Sequence, residues 1–234
     1  MSALDVGVPA SRTDLAVELI ADPDVLLDYQ SARGGGSPLL LGAGARLRSG
    51  TVLYAGSTIG RHFETGHHVV VREDCVIGDE VSIWSGTVVD YGCRIGNRVK
   101  IHANCYVAQF TELLEDAFLA PGVTIANDLY PGQLESAAVM AGPRIGAGAQ
   151  LGVNVTVLPY VRIGDGCLVG AGSVVTRDLP PGVVAYGNPA KVRGRVEDLV
   201  DIGARVTSDP ESASRFRLAS DGTPEDIRRE GHLR

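Results

Sequence analysis

From Leu41 to Ile125 the chain places an aliphatic residue at every sixth position, with Thr65 the one exception. After Ile125 the series resumes in a new phase at Ile145, Leu151, Val157, Ile163, Val169 and Val175, so that 20 of 21 register positions are aliphatic. A helix of 3.6 residues per turn does not give this spacing, and neither does an isolated strand of period two. A strict six belongs to a unit that stacks on copies of itself, because one unit alone has nothing to bury its apolar residue against.

The position four residues after each aliphatic is restrained as well, with Ala45, Thr51, Ser57, Phe63, Val69 and Cys75 opening the series, and it is expected to face inward. All four cysteines, Cys75, Cys93, Cys105 and Cys167, fall on this position. There a small, weakly polar side chain packs well, so they read as reduced core residues; their spacing matches no zinc motif. Glycine often follows the aliphatic directly, as at Gly60, Gly78 and Gly96, which suits a bend where a side chain would crowd the turn.

This pattern resembles the hexapeptide-repeat acyltransferases over residues 41 to about 195, and most of all their sugar-nucleotide N-acetyltransferases. The resemblance implies an all-β fold, a left-handed parallel β-helix in which three six-residue segments make one triangular coil. It sets a domain at residues 39–195 between an N-terminal segment, 1–38, and a C-terminal tail, 196–234. In the N-terminal segment Thr13 is placed to cap a helix over residues 14–21, and the Gly-rich stretch 34–38 reads as a joint. Ile125 and Ile145 are 20 residues apart. Residues 127–140 are therefore an inserted loop thrown out from one corner, and such loops on rigid scaffolds are common functional sites. The Gly187–Lys191 segment resembles the one that follows the last coil in this family. Thr223 to Asp226 offers a helix start in the tail.

The formal charge of −7 argues against nucleic acid or an anionic membrane as partner. No apolar run is long enough to span a bilayer and the N-terminus shows no secretory signal, so a cytoplasmic protein is the expectation.

With 18 residues per coil, residues 18 apart stack about 4.8 Å from one another. The first corner then collects the turns after Ile59, Ile77, Ile95, Leu113, Ile145 and Ile163, which look solvated. The second stacks His67 and His68, Trp84 and Ser85, His102 and Asn104, Ala120 and Pro121, Gly152, and Gly170 with Ala171. The third stacks Asp90 and Tyr91, Ala108 and Gln109, Ala126 and Asn127. The second corner thus runs from polar and aromatic to bare, which suits a long thioester arm lying on Gly152, Gly170 and Ala171 with its thiol near His102. The Gly170 and His102 levels are three coils, or about 14 Å, apart. Lys191 and Arg193, past the last coil, are placed to hold nucleotide phosphates by charge-assisted bonds.

His102 occupies a corner, where side chains point outward, and an imidazole of ordinary pKa, about 6.5, is suited to accept a proton from an attacking amine or hydroxyl. Base catalysis, substrate positioning and a plain surface role all remain open for it. The resemblance implies that the segment holding His102 and Asn104 lines the acceptor site, although related enzymes often lack a histidine there. His67 and His68 are placed to touch another part of the acceptor or simply to pack. Asn127 and Asp128 either meet the acceptor from a neighbouring subunit or only form a turn.

The resemblance further implies a homotrimer, acetyl-CoA as acyl donor, no metal, and a small-molecule acceptor, an amino-sugar nucleotide first among them. O-acylation and acylation of a small free amine are the alternatives. Two other classes share the repeat: the zinc-dependent γ-type carbonic anhydrases and non-catalytic scaffolds. Against the first, His62 and His67 precede His102 in an order reversed from that family's, and position 107 is Val. Against the second stand the inserted loop and the Gly187–Lys191 segment.

Overall fold

The computed structural model describes residues 19–33, 37–133 and 135–199. Short parallel strands, most of them two residues long, form three sheets of ten, eight and seven strands. Each strand pairs with those one coil before and after it, and the register is the 18-residue step: Lys100–Ile101 lies between Ser82–Ile83 and Phe118–Leu119. The result is the parallel β-solenoid expected of the repeat, a β-helix with almost no α-helix among the described residues. The described residues up to Val196 form one compact unit; of a second, residues 197–199 are described.

One core runs the length of the solenoid. Every aliphatic register residue from Leu41 to Val175 is buried, and so are the inward residues four positions on, among them Phe63, Val99 and Val155. The four cysteines lie in this core as free thiols. Burial pushes the Cys105 thiol above its ordinary value, as expected of a packing residue rather than a reactive one.

The corners turn differently from the sequence expectation. The left-handed bend falls three residues after the aliphatic, at Gly50, His68, Gly86, Asn104, Gly122 and Asn154 along the second corner. The glycine directly after the aliphatic has another purpose. A Cβ on Gly170 would lie 2.8 Å from the Cβ of Tyr186, and one on Gly152 would lie 2.7 Å from the amide nitrogen of Ala171. Close approach of the next layer, not the bend, demands glycine at these two sites.

The ladder also begins before residue 39. Ile20–Ala21 pairs with Arg46–Leu47, and Leu26 pairs with Val52. These partners are 26 residues apart instead of 18, so the chain between the first strands and Leu39 holds extra residues. Ile20–Ala21 is strand, which removes the end of the expected helix; the rest of that helix, Thr13 included, lies outside the described residues. So do residues 34–36 of the Gly-rich joint and the tail segment Thr223 to Asp226.

The phase break is a true insertion. Leu113 pairs with Ile145 in the same sheet and register as its other neighbours, so the added residues leave the solenoid intact. A four-residue helix, Ser136–Val139, interrupts the loop.

Candidate functional site

At the second corner, His102 follows the strand Lys100–Ile101 and is half-buried between two aromatic rings. Its centroid is 5.9 Å from Trp84, one coil before, and 4.8 Å from Phe118. Its N–H donates to the Leu119 carbonyl and its own carbonyl accepts from the Thr87 hydroxyl, which fixes the backbone. The imidazole nitrogens make no hydrogen bond with the described residues, so stacking alone orients the ring. Beside Phe118 a cavity of about 360 Å³ is lined by Lys100, Gln150 and the Arg98–Asp116 pair.

Asn104 and His68 both occupy left-handed turn positions, with φ of 59° and 56°. Asparagine is favoured there on conformational grounds alone. The His67 ring lies 2.9 Å from the Ser49 hydroxyl, and the His67 backbone N–H donates to Ser85 Oγ. His67 is thus tied to its own corner, with Trp84 between its level and that of His102.

Farther along the same corner the backbone amides divide into two rows. Those directly after the aliphatic bond to the next coil, Gly152 to the Val169 carbonyl and Gly170 to the Ala185 carbonyl, both within 2.9 Å. Those one residue later, at Ala103, Val153 and Ala171, donate no hydrogen bond among the described residues. Gly152 and Gly170 therefore supply a smooth floor, and the available N–H groups come from their neighbours. Lys191 pairs across the terminal hairpin with Tyr186, the residue packed on Gly170. Arg193 sets its guanidinium 5.2 Å from the Tyr186 ring. Both cations are exposed, so the structure brings the two positive charges to the bare end of the corner.

The third corner holds a buried charged network that the repeat pattern does not predict. Glu73 is 4% exposed and receives two bonds from Arg72, 3.0 and 3.1 Å, and one from the Ser31 hydroxyl, 2.9 Å. Burial pushes the Glu73 carboxyl up, but bonds from its own N–H, from Arg72 and from Ser31 outweigh that and hold it below its ordinary value. Arg72 also lies 3.4 Å from Asp90, which is 5% exposed and receives the Tyr106 hydroxyl and the Gln109 amide. Burial first, then Asp90, pushes the Tyr106 hydroxyl up to about 12, so it remains a protonated donor at neutral pH. Arg33 lies on the face of Tyr91, 3.5 Å from the ring centroid, and 3.7 Å from Glu73. A signal for this was present: Arg72 and Asp90 are one coil apart, and so are Glu73, Tyr91, Gln109 and Asn127.

Asn127 joins the far end of the network by donating to Gln109 Oε1 at 2.6 Å. Asp128 accepts from the Tyr130 N–H at 2.7 Å, the turn-forming contact. Asn127 and Asp128 follow a strand of the eight-stranded sheet and His102 one of the ten-stranded sheet, so a single chain does not bring the two groups together. Among the described residues no group of three or more His, Cys, Asp or Glu is arranged to hold a metal ion.

Repeat, solenoid and corner geometry are those of a hexapeptide-repeat β-helix. Residues 56–90 and 142–177 match the family described as bacterial transferase hexapeptide (six repeats). Over 130 residues the chain is 35% identical to a Staphylococcus aureus (strain MRSA252) protein that bears a provisional acetyltransferase name, a match taking in 52% of this chain and 65% of that one. It is 40% identical over 99 residues to the bifunctional protein GlmU of Rubrobacter xylanophilus, which covers 42% of this chain and 19% of that protein. The chain thus spans less than two thirds of the length of these relatives. Among solved structures, GDP-perosamine N-acetyl transferase from Caulobacter crescentus, in complex with CoA and GDP-perosamine, is 23% identical with a TM-score of 0.33, over 76% of this chain and 58% of that one.

Proposed function

We propose that this chain is an acetyl-CoA-dependent acetyltransferase that acylates the amine of a nucleotide-linked amino sugar and works as a homotrimer. The observation that carries the reading is the second corner: unengaged N–H groups at Ala171, Val153 and, past Pro121, Ala103, beside Gly170 and Gly152, lead from the Lys191 and Arg193 end toward His102. Such a row suits the amide-bearing arm of coenzyme A, and the two cations suit its phosphates. The acetyltransferase name of the Staphylococcus aureus relative supports the same class.

In this mechanism the amine attacks the thioester carbonyl carbon. The Ala103 N–H, beside His102, is the donor suited to the developing oxyanion. His102 accepts the proton that the nitrogen loses, and the thiolate of coenzyme A leaves. Asn104, His67 and His68 border the acceptor on this corner, while Asn127 and Asp128 reach it from the third corner of a neighbouring chain. Trp84 and Phe110 are exposed at these two corners and Tyr106 on the strand between them, apolar surface that a second copy would cover. Among the described residues no helix is long and apolar enough to cross a membrane. The donor implies work in the cytoplasm, where coenzyme A thioesters are held.

The test is thiol release from acetyl-CoA with the purified chain and a panel of UDP-, dTDP- and GDP-linked amino sugars. Transfer to at least one amine, by a species that sediments as a trimer, is the expected result. No release with any amine, or activity from a monomer, would overturn the reading.

A further inference from the structure

The polar network at the third corner has a direction. The Asp90 carboxylate accepts on Oδ1 from the Tyr91 N–H at 2.8 Å, and on Oδ2 from the Tyr106 hydroxyl at 2.8 Å and Gln109 Nε2 at 2.6 Å. An ionised carboxylate can only accept, so Gln109 must turn its NH2 toward Asp90. That leaves Gln109 Oε1 facing Asn127, and Oε1 accepts from Asn127 Nδ2 at 2.6 Å. With its NH2 engaged, Asn127 presents Oδ1 away from the network, and this oxygen makes no hydrogen bond with the described residues. Two amides that could each be turned either way are thus set by one buried charge. The oriented oxygen lies where the inserted loop leaves the solenoid, on a half-buried residue.

We infer that Asn127 Oδ1 is the hydrogen-bond acceptor for the reacting group of the acyl acceptor. Asp90 and Gln109 act through it as positioning residues, and together they select an amine over a hydroxyl. The inference rests on the transferase reading above. Its chemistry follows from counting hydrogens. A neutral primary amine has two: one is held by Asn127 Oδ1 and orients the lone pair, and the other is free to go to a base. As the C–N bond forms and the C–S bond breaks, that second proton leaves the nitrogen and the thiolate of coenzyme A departs as the free thiol. A hydroxyl has one hydrogen. Held by an amide oxygen, which is not a base, that hydrogen is kept from the group that should remove it.

The test compares wild type with Asp90→Asn, Gln109→Met and the double variant, using acetyl-CoA and the UDP-, dTDP- and GDP-linked amino sugars beside their hydroxy counterparts. Asn at position 90 donates as well as accepts, so the amides lose their fixed polarity. Met at position 109 removes both contacts yet leaves the Asp90 pair with Arg72 in place, which keeps the test open if Asp90→Asn does not fold. Each single variant is expected to raise the KM of the best amine acceptor about tenfold, as for one lost hydrogen bond to substrate. The KM for acetyl-CoA should not move, the amine-over-hydroxyl preference should narrow, and the double variant should be no worse than either single. An unchanged acceptor KM, additive losses, or an equal rise in the acetyl-CoA KM would overturn the inference and leave the transferase standing. So would a wild type that prefers hydroxyls. A wild type that acetylates nothing in the panel would remove the transferase reading itself, and this inference with it.

Discussion

The second and third corners share one backbone ladder and differ in the residues that follow the buried aliphatic. At the second, Trp84, His102, Gly152 and Gly170 leave a row of amides unengaged and carry no carboxylate. At the third, Arg72, Glu73, Asp90, Gln109 and Asn127 bond one another until little is left over. The contrast separates two tasks in a repeat whose backbone is uniform. Emptiness makes room for a ligand whose own groups supply the bonds, and a saturated network fixes the few atoms that must not rotate.

The third corner should fail first as structure. Glu73→Ala leaves Arg72 beside Asp90 but without its bidentate partner in a buried setting, and the expected cost is about 3 kcal/mol in urea unfolding at neutral pH. A loss under about 1 kcal/mol would mean that water or Asp90 compensates, and the two corners would then be less different than they look. The same network sets an acid limit. The folded Glu73 carboxyl lies below its unfolded value, so its contribution is fully present above the unfolded pKa and is lost as pH falls through the folded one. In Glu73→Gln the acid limb of the stability curve should flatten, which thermal melts across that range would show.

At the second corner the effect should be on chemistry, not folding. His102→Ala is expected to lower turnover about 10²-fold with the acetyl-CoA KM unchanged, if the imidazole is the base. A loss confined to the acceptor KM would make His102 a positioning group, consistent with a ring oriented by Trp84 and Phe118 alone. Smaller still, Lys191→Ala and Arg193→Ala should each raise the acetyl-CoA KM about fivefold and spare kcat, because phosphate contacts are equal in ground and transition states. An unchanged KM in both would move the donor off this corner. The first corner provides the control. The exposed Arg98–Asp116 pair is bidentate at 2.8 Å, yet Asp116→Asn, which removes the charge and suits the left-handed φ of 59°, should shift the melting temperature within experimental error.

The aliphatic six made the three sheets, the core and the loop insertion readable, because a buried position in a solenoid recurs at a fixed interval and tolerates few residue types. Glu73 and Asp90 escaped because they sit two residues and one residue after the aliphatic, where most coils carry solvated turn residues; only the partner one coil away tells that they are buried. Ile20–Ala21 escaped because extra residues break the interval before it could be counted. Asn104 stands out by resemblance and His68 by its place at the second corner, and the positive φ of each shows a conformational reason that neither reveals.

The pairing of Leu113 with Ile145 across the inserted loop has an evolutionary consequence. A scaffold that closes its ladder without regard to what hangs between two coils can exchange that segment as a cassette, for another length and another sequence, while the second corner stays untouched. Diversification in such a protein needs no refolding of its body. Grafts at residues 127–140 are therefore the natural place to change the chain without disturbing its core.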